Sequence, residues 1–361
     1  MADELQLEQA QGHEARPGPA ANKLLLALSC ILLALGNCGG PQLMRLYFLH
    51  GGNRLWFTSW LETGGWPVIL IPLTLRYLHN RRGGDQAENK TKFFTMNPRL
   101  FVGSALIGLL TGLDDYLYAF GVARLPLSTL SLVIASHLAF TAFFAFLLVK
   151  QKFTSYSINA VVLLVVGSAV LGLNTASDRP PGVSENAYLA GFFMTVAAAA
   201  LYGLVLPAVE LMYRKARQVV TYGLVVEVQL VMCFFATLLC TVGMLINKDF
   251  QAIPREAKEY GLGEMKYYTV VVWNAILWQC FFLGAIGVIF CASSLLSGVI
   301  IAVLLPFTEI LAVIIFREKF QAEKGVALVL SLWGFVSYFY GEMKYSKKKK
   351  RKVVQNSLGS V

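Results

Sequence analysis

This sequence has little charge for its length. Only 14% of its 361 residues are charged, whereas charged residues make up about a quarter of soluble globular proteins. The shortage of charge, together with an apolar content of 56%, excludes an ordinary soluble protein. The chain also leaves little room for a separate soluble domain beside membrane spans.

Cysteine is scarce, and its pattern does not indicate metal or disulfide chemistry. The six cysteines are Cys30, Cys38, Cys233, Cys240, Cys280 and Cys291. All of them fall inside apolar segments, and none has the spacing of zinc ligands. Disulfide frameworks are typical of small secreted domains. We therefore expect small packing residues, with no bound metal and no cofactor.

The N-terminus lacks the pattern of a cleaved signal peptide. Residues 1–22 are polar and do not contain a basic segment followed by a short apolar core. We predict that 1–22 is a cytoplasmic tail and that the first span anchors itself in the membrane.

Apolar segments of about 20 residues follow one another from Lys23 to Tyr340. A helix needs about this length to cross roughly 30 Å of hydrocarbon. The pattern predicts an all-α integral membrane protein with about ten transmembrane helices. The predicted spans are 23–49, 56–78, 99–123, 127–149, 155–176, 186–212, 220–246, 270–292, 296–316 and 322–341.

Basic residues are distributed unevenly between the two sides of this predicted topology. With the N-terminus inside, 20 of the 31 Lys and Arg residues lie on the inner side, as the positive-inside rule expects. Both termini are therefore predicted in the cytoplasm. The tail at 342–361 is strongly basic, which suits either a solvated tail or contact with anionic lipid. This distribution of the net charge of +10 argues against a nucleic-acid partner.

An internal repeat relates the two halves of the chain. Leu138-Ala-Phe-Thr141 recurs as Leu305-Pro-Phe-Thr308, 167 residues later, and other pairs in earlier spans keep nearly the same offset. Because five spans is an odd number, the second copy enters the bilayer in the opposite sense. We predict two inverted five-helix repeats, 23–176 and 186–341, with the substrate near the midplane between them.

Proline and glycine mark corresponding places in the two predicted repeats. They occur as Gly39-Gly40-Pro41 in the first span and between Gly203 and Pro207 in the sixth. Since proline removes a backbone donor and clashes with the preceding turn, we expect helix interruptions there. The freed carbonyls would line a cavity, although a kink without a ligand is an open alternative.

Carboxyl groups inside the predicted spans are the strongest functional signal. An ionised acid facing lipid at mid-depth costs about 3 kcal/mol on insertion scales, so these acids face protein or a wet cavity, or are protonated. Glu62 matches Glu227 in the repeat, whereas Asp114, Asp115 and Glu309 match uncharged residues. Function tends to break the symmetry of a repeat. We assign proton coupling to Asp114, Asp115 and Glu309, with Glu62 as a further candidate.

Asp114 and Asp115 are neighbours on one helix and point about 100° apart. We therefore expect one of them to face the cavity and the other to pair within the helix bundle.

Polar and aromatic side chains within the spans are candidates for binding a flat heterocycle. Amides and imidazole form hydrogen bonds, and aromatic rings suit a flat ring. The candidate substrate-binding residues are His137, Thr141, Gln42, Asn37, Tyr116, Tyr118, Asn274, Gln279 and Phe307. Helix packing is the alternative role for each polar residue. Tryptophans near span ends, including Trp278, are expected in interfacial belts.

Three other activities remain open on these residues. An intramembrane transferase would use Asp114-Asp115, but such enzymes usually need a second acidic cluster to hold magnesium and diphosphate. A nucleotide-sugar carrier would need basic residues deep in the spans, where this chain has acids. A receptor that does not transport is the third.

Several segments together resemble the plant purine permeases of the drug/metabolite transporter superfamily. They include Gly36-Asn-Cys-Gly-Gly-Pro41, Trp60-Leu-Glu-Thr-Gly-Gly-Trp-Pro67, Gly112-Leu-Asp-Asp-Tyr-Leu-Tyr118 and Leu305-Pro-Phe-Thr-Glu309. The resemblance covers nearly the whole chain. It implies a ten-helix carrier, not an enzyme, that uses the proton gradient to import adenine, cytokinins or related heterocycles across the plasma membrane. His137 stands where similar proteins often have glutamine.

Overall fold

The computed structural model consists of helices joined by turns and short irregular segments in the part of the chain that it describes. That part comprises residues 19–71, 94–125, 136–151, 154–172, 184–216 and 218–316, with isolated positions between them and as far as Lys344. Its helices are α1 (Pro19–Leu49), α2 (Leu55–Gly64), α3 (Pro98–Arg124), α4 (His137–Val149), α5 (Ser155–Gly172), α6 (Glu185–Arg214), α7 (Tyr222–Ile246), α8 (Asp249–Glu259), α9 (Glu264–Cys291) and α10 (Ser294–Phe316).

Six of these helices are long and apolar enough to cross a membrane. They are α1, α3, α6, α7, α9 and α10, with 23 to 30 residues each, or roughly 35–45 Å at the rise of an α-helix. The chain is therefore a multi-pass integral membrane protein. The predicted spans at 56–78, 127–149, 155–176 and 322–341 are only partly described, and the predicted tails lie almost entirely outside the described residues.

The helix interruptions predicted in the first and sixth spans are wrong. α1 continues through Pro41 and α6 continues through Pro207. Pro41 has no N–H to bond the Asn37 carbonyl. That carbonyl instead lies 3.3 Å from Thr308 Oγ1 of α10, whose single proton it shares with the Leu304 carbonyl at 3.1 Å. Because a neighbouring helix supplies the missing donor, the backbone stays helical.

A break occurs instead in the second span. α2 ends at Gly64 after ten residues, and a 3₁₀ turn over Trp66–Ile69 follows it. Gly65 joins the two pieces, and a Cβ atom at this position would lie 2.6 Å from the Ala275 carbonyl oxygen of α9. Only glycine permits this contact, which holds the end of α2 directly against α9.

Glycines also bring the long helices together. Gly36 of α1 lies so close to the backbone of Phe281 that a Cβ atom there would collide with α9. On α3, Gly108 makes the same kind of contact with Met232 of α7. Small residues at such crossings are typical of membrane proteins. In the resulting bundle α1 packs along α9, α3 lies against α6 and α7, α4 lies on α6, and α10 lies on α1.

Two of these crossings have the same form. Gly121 of α3 faces the hydroxyl of Thr195 on α6, and Gly287 of α9 faces the hydroxyl of Ser29 on α1. Each hydroxyl donates to the carbonyl four residues earlier in its own helix. Both the glycines and the hydroxyl residues are 166 positions apart.

A buried cluster of polar groups holds α8 to one end of the bundle. Glu256 of α8 accepts hydrogen bonds from the hydroxyls of Tyr47 on α1 and Tyr267 on α9, the latter at 3.1 Å. It also accepts from the Asn53 N–H at 3.2 Å, and Arg54 Nε lies 3.7 Å away. We call these residues the Glu256 cluster. Glu256 thus joins α8 to α1, to α9 and to the segment that precedes α2.

A second buried carboxylate lies at the other end of α9. Glu210 of α6 accepts hydrogen bonds from Arg214 at 2.6 Å and from the Ser294 N–H at 2.8 Å. Arg214 also donates to the Val149 carbonyl at the end of α4, at 2.8 Å. These residues, the Glu210 cluster, connect α4, α6 and α10.

Candidate functional site

A cavity of about 70 Å³ lies near the middle of the bundle, between residues of α1, α2, α3, α4, α6, α9 and α10. This volume holds a few water molecules and is smaller than the roughly 300 Å³ of a small-molecule pocket. The residues that α3, α6 and α9 contribute come from the central turns of these helices. The site therefore lies at mid-depth in the membrane.

Three carboxyl groups meet at this cavity. Glu62 of α2 and both Asp114 and Asp115 of α3 line it, and all three are buried. Within the described part of the chain, one oxygen of each accepts no hydrogen bond, and no Lys or Arg lines the cavity. Three ionised carboxylates in one cavity would repel one another. A proton shared among them relieves this repulsion.

The expectation that only one of Asp114 and Asp115 faces the cavity is wrong. Both aspartates line the cavity together with Glu62 of α2 and Tyr202 of α6. A sector of α3 wide enough for two adjacent residues is therefore turned toward it.

Hydrogen-bond donors surround the carboxyl groups. Asn37 Nδ2, Tyr202 Oη and Trp278 Nε1 come from α1, α6 and α9, and none of them bonds to another group among the described residues. His137 Nδ1 donates to the Ile134 carbonyl at 2.8 Å, so the neutral ring leaves Nε2 as an acceptor. Leaving a buried polar group without a partner costs about 1–3 kcal/mol. Convergence of several such groups on one cavity is typical of a ligand site.

Aromatic rings form much of the cavity wall. The ring of Trp278 lies edge-to-face with those of Tyr118 and Phe281, with centroids 5.7 and 5.3 Å apart. Tyr202 packs on Phe281 at 5.9 Å. Trp278 is buried, so its expected place in an interfacial belt is wrong, whereas Trp273 on the same helix is 54% exposed.

Four predicted substrate-binding residues are buried but do not line the cavity: Thr141, Gln42, Asn274 and Gln279. Gln42 Nε2 donates to the Thr308 carbonyl at 2.7 Å, and Gln279 Nε2 donates to the Thr63 carbonyl at 3.0 Å. Each of these amides joins two helices.

The remaining predicted residues lie elsewhere. Tyr116 stacks on Trp56 with ring centroids 4.0 Å apart, and Phe307 is 40% exposed on the outside of α10. Glu227, the repeat partner of Glu62, accepts hydrogen bonds from the N–H and hydroxyl of Thr95 at 2.8 and 2.9 Å. The side chain of Glu309 lies outside the described residues. The cavity therefore contains Asn37, Glu62, Asp114, Asp115, Tyr118 and His137 from the predicted set.

Sequence reasoning did not select Tyr202, Phe281 or Phe282, which also line the cavity. A signal for Tyr202 was present, because its repeat counterpart 166 residues earlier is Gly36. Tyr202 has a large ring with a hydroxyl, whereas Gly36 has no side chain. The same kind of difference between the halves was the reason for choosing the acids. Phe281 and Phe282 sit in an apolar run without such a cue.

The sequence matches a family model described as purine nucleobase transmembrane transport over residues 24–349. Purine permease 3 of Arabidopsis thaliana is 55% identical over 329 residues, covering 91% of this chain and 93% of that protein. Purine permease 2 of the same organism is 53% identical over 345 residues, covering 92% and 96%. A solved crystal structure at 14% identity superposes with a TM-score of 0.50, covering 90% of this chain and 98% of the other. That likeness concerns the fold alone.

Proposed function

Because this chain belongs to the family of purine nucleobase transmembrane transporters, we propose that it imports adenine, cytokinins or related purines together with protons. It is a membrane carrier and not an enzyme, and its relatives do not favour an intramembrane transferase or a nucleotide-sugar carrier. The proposed mechanism is alternating access, in which the cavity opens first to one face of the membrane and then to the other.

The observation that carries the proton coupling is the set of three carboxyl groups in one cavity. Glu62, Asp114 and Asp115 lie beside hydrogen-bond donors and aromatic rings, with no Lys or Arg among the described lining. A bound purine would supply N–H groups to these acids, and a proton would offset their mutual repulsion. Substrate and proton would thus favour each other's binding. One charge moved across 100 mV supplies about 2.3 kcal/mol, or roughly a 40-fold concentration of a neutral solute.

The proposed roles of the site residues follow their positions. Asp114, Asp115 and Glu62 take part in proton coupling, and Glu309 remains a candidate. Asn37, His137 and Tyr118 bind the purine, joined by Tyr202 and Trp278. For Gln42, Thr141, Tyr116, Asn274, Gln279 and Phe307, which do not line the cavity, we propose packing or positioning roles.

The proposed architecture has about ten spans in two inverted repeats, 23–176 and 186–341. It is supported by helix contacts that recur between the halves, since α3 packs on α6 as α9 packs on α1, and α4 packs on α6 as α10 packs on α1. The matched contacts of Gly121 with Thr195 and of Gly287 with Ser29 support the same pairing.

The proposed orientation places the tails at 1–22 and 342–361 in the cytoplasm, with the protein in the plasma membrane. Its support is the excess of basic residues on the predicted inner side, 20 of 31. The Glu256 cluster then faces outward and the Glu210 cluster faces the cytoplasm.

Uptake of labelled adenine into proteoliposomes, with and without an imposed pH gradient, tests the proposed function. Acid outside should raise initial uptake by wild-type protein, and Asp114→Asn or Glu62→Gln should abolish that stimulation. Glu227→Gln is the matched control, because this repeat partner lies outside the cavity, and it should keep the response. Uptake by wild-type protein that ignores the gradient would refute proton coupling.

A further inference from the structure

The break after α2 exposes backbone carbonyls inside the membrane. The last carbonyls of any helix lack partners in the helix, and here the next turn contains Pro67, whose missing N–H would otherwise bond the Thr63 carbonyl. The Thr63 carbonyl also receives the Gly65 N–H, but an oxygen with two lone pairs accepts a second bond. In hydrocarbon such groups require partners within the protein.

Gln279 of α9 supplies that partner. Its Nε2 donates to the Thr63 carbonyl at 3.0 Å and approaches the Glu62 carbonyl at 3.5 Å. Because a carbonyl only accepts, the amide nitrogen must face α2. The amide oxygen then faces Cys233 of α7, whose thiol donates to it at 3.7 Å. Both ends of this amide are occupied, and the side chain does not line the cavity.

The residue held in this way carries one of the three cavity carboxyl groups. Glu62 contributes its backbone carbonyl to the break and its side chain to the cavity beside Asp114 and Asp115. A second hydrogen bond, from Thr237 Oγ1 to Thr63 Oγ1 at 3.1 Å, connects the end of α2 to α7. We infer that Gln279 is a positioning residue, which holds the interruption of α2 so that the Glu62 carboxyl faces the two aspartates.

This inference rests on the proposed function, in which Glu62 takes part in proton coupling. It also gives Gln279 a task different from the substrate contact predicted from sequence. The titratable groups around Glu62 are Asp114, Asp115 and Tyr118 of α3, His137 of α4, Tyr202 of α6, and Cys233 and Cys240 of α7.

Gln279→Glu provides a test with a defined sign. The new carboxyl has nearly the same shape and can donate a hydrogen bond to the Thr63 carbonyl only when protonated. Adenine counterflow at equal pH on both sides removes the driving force of the gradient. Relative to wild type, Gln279→Glu should be roughly tenfold less active at about pH 9 and should recover toward about pH 6, because burial favours the protonated form of the new carboxyl at neutral pH. Gln279→Leu should stay low throughout.

Kinetic parameters separate positioning from substrate contact. Gln279→Leu should lower the maximal rate of gradient-driven uptake and flatten its pH dependence, as we also expect of Glu62→Gln, with little change in KM. Asn274→Leu, which replaces another buried amide of α9 outside the cavity lining, should keep the wild-type pH profile. If Gln279→Leu instead raises the KM for adenine and leaves the pH profile unchanged, Gln279 contacts the substrate. That result would overturn the inference.

Two further comparisons distinguish a folding defect from a loss of function. Each variant is assayed for monodispersity in detergent, and if Gln279→Leu does not fold, the acid recovery of Gln279→Glu decides alone. Its absence then overturns the inference. If Glu62→Gln keeps the wild-type pH response while Gln279→Glu still recovers in acid, the proposed role of Glu62 in proton coupling fails and the control of the α2 break by Gln279 stands.

Discussion

Two proline residues in the spans, Pro41 and Pro67, leave backbone carbonyls that polar side chains of other helices satisfy. Pro41 frees the Asn37 carbonyl, which accepts from Thr308 of α10, and Pro67 frees the Thr63 carbonyl, which accepts from Gln279 of α9. Both donors are buried. Polar residues that look like binding groups in a sequence therefore act here as replacements for backbone donors.

A double-mutant cycle tests this pairing at Pro41. Thr308→Val should lower the free energy of unfolding by about 1 kcal/mol, because the Asn37 carbonyl loses its donor. In a Pro41→Ala background the restored backbone N–H bonds that carbonyl, so the same substitution should cost much less. Unfolding in detergent measures both. Thr269→Val, at an exposed hydroxyl that bonds within its own helix, is the control. Equal losses in both backgrounds would contradict the pairing.

Trp278 should be a determinant of purine affinity. Stacking of a base on an aromatic side chain is worth about 1–3 kcal/mol, so Trp278→Ala should raise KM for adenine roughly tenfold or more. Trp273→Ala removes the same ring from an exposed position on the same helix and should leave KM unchanged. Initial-rate uptake over a range of adenine concentrations measures both. Similar KM values for the two variants would exclude stacking on Trp278.

Acids were easier to predict as site residues than amides or aromatic rings. An acid in a span costs free energy unless it faces protein or a water-filled cavity. Asp114, Asp115 and Glu62 were selected from sequence for this reason, and all three line the cavity. A buried amide such as Gln279 can pack between helices as well as bind a ligand, and a ring such as Phe307 can face lipid as well as a cavity. Only the packing around each side chain separates these possibilities.

Among the helices, α3 carries two of the cavity acids and depends on close contact with its neighbours. A Cβ atom at Gly108 would lie 2.9 Å from the Met232 Cα of α7, whereas at Gly103 it would meet only the Met212 side chain at 3.2 Å. A flexible thioether can move aside, but a backbone cannot. The position of the acids therefore depends on the glycines that face backbone.

Gly108→Ala should consequently separate α3 from α7. We expect it to lower the free energy of unfolding by about 1–3 kcal/mol, as overpacking does, and to lower uptake because Asp114 and Asp115 move with the helix. Gly103→Ala, on the same helix, should be close to neutral. Thermal unfolding of the purified proteins gives the comparison, and equal melting temperatures for the two variants would be the contrary result.

Helix existence was predictable, but the site of the helix break was not. Runs of about 20 apolar residues identified α1, α3, α6, α7, α9 and α10, all of which are present. Proline with nearby glycine suggested breaks at Pro41 and Pro207, whereas the break follows Gly64-Gly65. Whether a proline breaks a helix depends on whether another helix supplies a donor, which is a property of the tertiary packing.

On the scale of the whole molecule, the two buried glutamate clusters lie on opposite sides of the cavity. α9 has 28 residues, which is about 42 Å, with Tyr267 of the Glu256 cluster near its start and Ser294 of the Glu210 cluster just beyond its end. Trp278 and the cavity lie halfway between them. Each cluster joins helices from both proposed halves. Movement of one half against the other must therefore break one cluster or the other.

This placement predicts opposite effects when either carboxylate is neutralised. Hydrogen bonds to a charged group are worth about 1.5–3 kcal/mol, so Glu256→Gln should favour opening on the proposed outer side, and Glu210→Gln should favour opening toward the cytoplasm. The readout is a cavity cysteine, Ala199→Cys, in a chain whose six native cysteines are replaced. A membrane-impermeant thiol reagent added outside should modify it faster in Glu256→Gln and more slowly in Glu210→Gln, by roughly tenfold in each case.

The control for this experiment is Glu259→Gln, which removes an exposed carboxylate from the same short helix α8. Its modification rate should equal that of the parent, because Glu259 belongs to neither cluster and its charge is screened by solvent. If Glu256→Gln and Glu210→Gln change the rate in the same direction, each cluster serves general stability. Opposite signs, by contrast, require that the two ends of the molecule compete for closure around a single cavity, because general loosening of the bundle cannot make the same cysteine less accessible.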